Sequence, residues 1–490
     1  MKVRPSSPRV APSFRLAATL LFSCGLACQR SSAPPVDPSE LRPGGGTTVS
    51  VRPRPSFKKP AASLSSAQKP DFYAGRALAQ QPWVRAPSST DARDGLGPLY
   101  NARSCLGCHA DGGRGAVAAQ DGPTSLATVV RLSIPGAPSG AAPRPEPRYG
   151  TQLQIQSTDL MHQLRMVPGL SGAGQIPPEA EAGLRWQRTP FRYPDGTTVE
   201  LRRPELEVSN WAYGTPEPTL LTGIRATPPL HGMGLLEAIP EEAIRALADP
   251  KDADGDGISG RPNQVNHPVS GEREMGRFGL KANQSTLRNQ VAAALRDDMG
   301  ITNPVFPEES CTSVQAGCAA APHGKGPEGV EISNALLDLL LEFVESIGVP
   351  ERRKPEHPMV LEGRRIFMEV GCQGCHTPSF RTAMRPEEPH LSEQRIWPYT
   401  DLLLHDMGKE LADGRPDHEA SGQEWRTPPL WATGLARSVG TEVGFLHDGR
   451  ARTVEEAVLW HGGEASRVRD RFLNLEAKKR RALLAFVKSL

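Results

Sequence analysis

Apolar residues fall at helical spacing in two stretches, one near the middle of the chain and one at its end. Ile332, Leu336, Leu339, Leu340, Phe343 and Ile347 share one stripe, and Leu483, Phe486, Val487 and Leu490 share another. Both predict amphipathic closing helices. Val360 to Val370 predicts a further helix, with Gly363 four residues before Phe367. A small residue there lets two helices cross closely. The pattern changes between about 145 and 235, in what reads as an insertion. Thr151-Gln-Leu-Gln-Ile-Gln alternates, and Tyr193-Pro-Asp-Gly-Thr-Thr-Val-Glu-Leu201 sets Pro-Asp-Gly between extended runs, a hairpin signal. Short strands and a small sheet are expected here.

The beginning of the chain is patterned differently again. Met1 to Arg15 carries Lys2, Arg4, Arg9 and Arg15 with no acid, and an apolar run from Leu16 to Phe22 follows. Residues 1–28 read as an export signal, too short to be retained as a spanning helix. Leu21-Phe22-Ser23-Cys24 resembles a bacterial lipobox, and Gly25-Leu26-Ala27-Cys28 is a second candidate. Cys24 or Cys28 would then carry the lipid; the alternative is a soluble exported protein that loses both with its leader. Residues 29–70, rich in Pro, Ser, Gly and Ala, read as a flexible tether. The expected location is periplasmic, held to the membrane only through a lipid anchor. Net charge is +2, so bulk charge argues for no nucleic-acid partner.

Two copies of C-x-x-C-H change the picture most: Cys105-Leu-Gly-Cys108-His109 and Cys372-Gln-Gly-Cys375-His376. Eight Cys and twelve His in 490 residues would give roughly 0.003 such matches by chance, so two copies are not accidental. Two thiols at this spacing form thioethers to haem vinyl groups, and the adjacent His becomes the proximal iron ligand. Zinc would close a four-ligand site from nearby Cys pairs, whereas these copies lie far apart, each with its own His. Two covalent haem c groups are expected. Cys311 and Cys318 then suit a local disulfide in an oxidising compartment.

The surroundings of the motifs repeat. Gly75-Arg76 and Gly363-Arg364 precede them, and Thr286-Leu287 with Val291 matches Thr453-Val454 with Val458. An ancient duplication is the economical explanation. The expected fold class is mainly α, with cytochrome c-like haem domains over about 71–350 and 351–490, the first holding the β-containing insertion. Asp252-Ala-Asp254-Gly-Asp256-Gly257 matches the first half of a calcium loop, but Asn263 stands where the loop wants Glu. Calcium held by Asp252, Asp254 and Asp256 and an acidic turn held by its own hydrogen bonds both remain open.

These features resemble the bacterial di-haem oxidoreductases, also described as thiol oxidoreductases or relatives of di-haem cytochrome c peroxidases. The resemblance rests on stretches such as Gly95-Leu-Gly-Pro-Leu-Tyr-Asn-Ala-Arg-Ser-Cys105, Tyr399-Thr-Asp-Leu-Leu-Leu-His-Asp-Met-Gly408, Glu424-Trp-Arg-Thr-Pro-Pro-Leu-Trp431 and Phe445-Leu-His-Asp-Gly-Arg-Ala451. It runs through nearly all of the chain after the leader. It implies one haem for chemistry on peroxide or another small oxidant, and one relaying electrons from small redox proteins. In the wider group a Glu precedes Gln in the helix after the Gly-Arg turn; here Asn289 precedes Gln290. Asn can hydrogen-bond a bound oxygen species but cannot take its proton.

Distal iron ligands rank as follows. For the C-terminal haem Met407 comes first, because a thioether would suit a relay role, with His405, His447 and His461 behind it. For the N-terminal haem His231, Met233, His267, Met275 and Met299 are all candidates. Two functions remain: a peroxidase-like oxidoreductase with one open haem, and an electron carrier with both irons six-coordinate. Docking to other exported redox proteins is a third, weaker reading.

Overall fold

The computed structural model describes residue 1 and residues 36–490, apart from 53–55, 91–92, 139, 159–175, 439 and 441. Cys24 and Cys28 lie outside the described residues. From Val36 to Leu490 the chain forms one compact unit.

The mainly α expectation is corrected. Among the described residues helices are short and separated by long irregular segments, and six small sheets lie among them, so this is not a mainly α cytochrome c fold. The composition supplies the reason. With 48 Gly and 48 Pro, few stretches can run long as helix, and loop and ladder bonds must satisfy the backbone elsewhere.

The expected closing helices are present, as Asn334–Glu345 and Ala477–Ser489. The first crosses helix Lys69–Gln80 and the second crosses helix Pro358–Val370. Both crossings use the same device. A Cβ on Gly75 would lie 1.8 Å from the Leu339 carbonyl oxygen, and one on Gly363 would lie 1.9 Å from that of Ala482. Phe72 meets Phe343 and Phe367 meets Phe486, each pair with ring centroids 5.3 Å apart. Thr286 and Thr453 cap matching helices by accepting from Asn289 N and Glu456 N, another trace of the repeat.

The insertion forms a long hairpin, Glu181–Arg192 paired with Thr198–Ser209, with Gly196 at φ 87° in its turn. The alternating Thr151 stretch bridges Arg131 through Gln152 and adds Gln156–Ser157, paired with Leu99–Tyr100. The hairpin tip lies on the second half of the chain. Tyr193 is buried in its core and donates to Glu455 at 2.8 Å, while Arg480 pairs with Asp195 at 2.5 Å.

The expected tether is also corrected where it is described. Residues 36–52 and 56–70 are packed on the body. Phe57 and Leu64 are buried, and Val49 N donates to Val349 O at 2.9 Å. Glu40 is fully buried between Arg352 at 2.5 Å and Arg364 at 3.1 Å. Leaving either arginine unpaired would cost about 3–5 kcal/mol. That makes the segment a strap. Among the described residues no helix is long and apolar enough to cross a membrane.

Gly75→Ala and Gly363→Ala should each lower stability by about 1–3 kcal/mol, because a methyl group must displace a helix backbone. Urea denaturation would show it, and unchanged midpoints would contradict the close crossing.

Candidate functional site

Each C-x-x-C-H motif coils into a single turn. Cys105–Cys108 is helical, capped by the Ser104 hydroxyl accepting from Gly107 N. Cys372–Gly374 forms a 3-10 turn entered from Gly371, which sits at φ 95° where glycine is needed. The turn places two thiols on one side and hands the chain to the histidine. Burial pushes the Cys105 thiol up to about 11 and Cys108 and Cys372 up to about 12, and raises Cys375. These are neutral, apolar thiols rather than thiolates awaiting a soft metal.

The two motif histidines are held in the same way. His109 Nδ1 lies 2.7 Å from the Pro228 carbonyl oxygen, and His376 Nδ1 lies 2.9 Å from that of Tyr399. A carbonyl only accepts, so each ring carries its proton on Nδ1 and leaves the lone pair on Nε2. Burial lowers both pKa values to about 4, against the pull of the carbonyls, so both rings are neutral at pH 7. That is the state an iron ligand needs.

Further donors match the two carboxylates that a haem carries. Arg114 and Arg426, both pushed down to about 10 by burial, make no ion pair among the described residues. The indole N–H groups of Trp431 and Trp460 are buried without a partner. The residues present therefore fit the group. No periodicity marks these four; the Arg426 and Trp431 motif was visible in sequence, its donor role was not.

The distal candidates separate. His461 Nδ1 lies 2.7 Å from the Ala457 carbonyl oxygen, leaving Nε2 free, and its ring is close enough to His376 to perturb it electrostatically. His405 has both nitrogens engaged, Nε2 with Asp401 and Nδ1 with Glu464, each at 2.8 Å. Burial alone would lower its pKa, but Asp401, Cys375 and Glu464 hold it well above the usual value, so both nitrogens are donors. His447 stacks face-on against Trp425 at 3.6 Å. Met407 is half-buried, just after strand Leu404–Asp406, where its N–H donates to Gln423 O. Around the first motif, Met275 and Met299 are buried, and Met233 packs against, the same core that Cys105 touches. His231 is buried with Nδ1 unpartnered. His267 Nδ1 accepts from Val269 N and Ser270 N in an exposed turn.

Asn289 is buried in the first turn of helix Leu287–Met299, its amide donating to Ser285 Oγ at 3.3 Å, with half-buried Gln290 beside it. The far end of that helix meets the first motif: Asp298 O accepts from Asn101 N and Ala102 N. Asn289 stands roughly 14 Å back along the axis. An acid is attached to the helix start instead. Glu237 Oε1 accepts from Leu287 N at 2.7 Å, and Glu237 shares a hydrogen bond with Glu345. Burial, then the Glu237 charge, raises Glu345 far above an ordinary carboxyl, so the pair keeps one proton near neutrality.

In the acidic loop Asp249, Asp252 and Asp254 bring carboxylate oxygens within 4.8 Å of one another, with Asp249 in place of Asp256. Most are committed locally: Asp249 accepts from Ala253 N, Asp252 from Gly257 N, Asp254 from Asp256 N and Asp256 from Ile258 N. Asn263 is buried and bonded to Lys281 O and Asp417 O. Cys311 and Cys318 are bridged, with Cα atoms 5.8 Å apart.

Comparison with known proteins gives one finding. A family model described as "Di-haem oxidoreductase, putative peroxidase" matches residues 40–490. No curated protein and no solved structure matches.

The carboxyl pair has a pH signature. Glu345 is protonated when folded but ionises above about 4.5 when unfolded. The native state therefore holds the extra proton, and its contribution to stability falls as pH rises above that value. Wild type should lose urea resistance between pH 5 and pH 8 by up to about 1.4 kcal/mol per pH unit from this proton. Glu345→Gln should flatten the slope; an unchanged slope would disprove the shared proton.

Proposed function

The chain belongs to the di-haem oxidoreductase family, and from that premise we propose an exported, peroxidase-like di-haem cytochrome c. Haem c would be attached through Cys105 and Cys108 to one half and through Cys372 and Cys375 to the other. The observation that supports this reading is the pair of Nδ1–carbonyl bonds at His109 and His376, which leave both Nε2 lone pairs available to an iron. When bound, the two groups would supply one-electron relay and the two-electron reduction of peroxide or a related small oxidant. Small redox proteins would donate or accept the electrons. Delivery to the periplasm by the leader, and a lipid on Cys24 or Cys28, complete the proposal.

The residues of this chain orient and insulate. The two carbonyls fix the proximal rings, and Arg114, Arg426, Trp431 and Trp460 offer donors to carboxylates. His461 is our preferred distal ligand in the C-terminal half, ahead of Met407, because its Nε2 is free and it lies near His376. Asn289 holds no proton to give; the Glu237–Glu345 pair, fastened to the same helix, does. Calcium in the acidic loop is not part of the proposal, since its carboxylates already serve backbone N–H groups.

Asn289 also favours a second reading, in which the protein only carries electrons with both irons six-coordinate. Addition of peroxide to the anaerobically reduced protein separates the two. Rapid reoxidation is expected of the enzyme. Only low-spin signals, unmoved by cyanide or peroxide, would leave the carrier. Electron paramagnetic resonance should further show one haem turning high-spin in His461→Ala and neither changing in Met407→Ala. The reverse pattern would return the ligand to Met407.

A further inference from the structure

The two carbonyls that hold the proximal histidines are stiffened by different means. Pro228 lies in Thr227-Pro228-Pro229, where two rings restrict the backbone. Tyr399 follows Pro398, but no ring restricts its own φ or ψ; Tyr399 N donates to Pro378 O at 3.4 Å and Thr400 N to Thr377 O at 3.0 Å. Tyr399 sits at φ 54°, in the left-handed region that a bulky side chain rarely adopts. Such a conformation persists only when its surroundings over-determine it. Here the side chain is fully buried, edge-on to Phe367 and Phe486 with centroids 5.8 and 5.6 Å away. Its hydroxyl donates to Glu40 at 2.5 Å. Glu40 is in turn locked by Arg352 and Arg364, and Arg352 reaches Ser489 on the closing helix at 3.0 Å.

We propose that Glu40, in the N-terminal strap, is a positioning residue for the C-terminal haem: it pins the Tyr399 side chain so that the Tyr399 carbonyl stays on His376 Nδ1. The proposal rests on haem attachment at Cys372 and Cys375. A hydrogen bond from Nδ1 makes Nε2 a stronger donor and favours ferric iron. Loosening the anchor lets Tyr399 leave its left-handed backbone, weakens that bond and raises the reduction potential. The path runs from a segment some 330 residues upstream of the histidine, whereas its N-terminal counterpart lies in a Pro228-Pro229 pair.

The test is potentiometric titration of full-length Tyr399→Phe and Glu40→Gln, matured where haem c is attached, each beside wild type. Tyr399→Phe removes one hydroxyl and leaves both arginine pairs intact. Ser39→Ala is the control, because it deletes a neighbouring strap contact, Ser39 Oγ with Trp397 Nε1 at 3.0 Å, that is not on this path. In both test variants one midpoint should rise, the same one, by about tenfold in the ferric–ferrous equilibrium, about 59 mV for one electron. The other midpoint and Ser39→Ala should match wild type. Should Glu40→Gln fail to fold, Tyr399→Phe decides alone. Unmoved midpoints in Tyr399→Phe, or both midpoints moving together, or an equal shift in Ser39→Ala, would overturn the proposal. A mass lacking two haems would instead refute the attachment on which it rests.

Discussion

Two helix crossings without a side chain between them set the frame for everything else. At Gly75 against Leu339 and at Gly363 against Ala482, one backbone presses on another at a distance that excludes even a methyl group. Close approach lets flanking rings interlock, Phe72 with Phe343 and Phe367 with Phe486. In the second half the crossing helix ends at Val370 and passes through Gly371 directly into Cys372. The position of that motif is thus fixed by the crossing itself. In the first half more than twenty residues intervene between Gln80 and Cys105, and loop contacts such as Trp83 N to Arg103 O take over the task.

The halves solve one chemical problem with unequal means. Each presents a neutral histidine whose Nδ1 is spoken for, yet one carbonyl belongs to a proline and the other to a strained tyrosine. The bond is the same in both halves and its support differs. The strap from Val36 onward, with Glu40 at its buried centre, belongs to the second solution and binds both halves along the way.

What could be read from sequence was what has a short period or a fixed spacing. The closing helices, the small residue at Gly363, the Pro-Asp-Gly turn and the two C-x-x-C-H motifs all fall in that class. The fold class failed because two strong helical stripes were extended to the whole chain, whereas the described residues between 99 and 230 build small sheets whose ladders pair distant segments, such as Thr128–Ser133 with Leu221–Ala226. The strap was missed because Pro- and Ser-rich composition hides one decisive side chain, Glu40, whose partners lie more than 300 residues away. Distal candidates could not be ranked by residue type alone. His405, beside Met407 in the motif, is engaged on both nitrogens, while His461 keeps one free.

The hairpin of the first half ends with Tyr193 sunk into the second half's core and Asp195 on Arg480. The two halves therefore form a single thermodynamic partnership. Neither portion can be shuffled, truncated or loaned to another gene without exposing the apolar socket that its neighbour now plugs. Any recombination breakpoint tolerated by this lineage must spare that plug and its socket together.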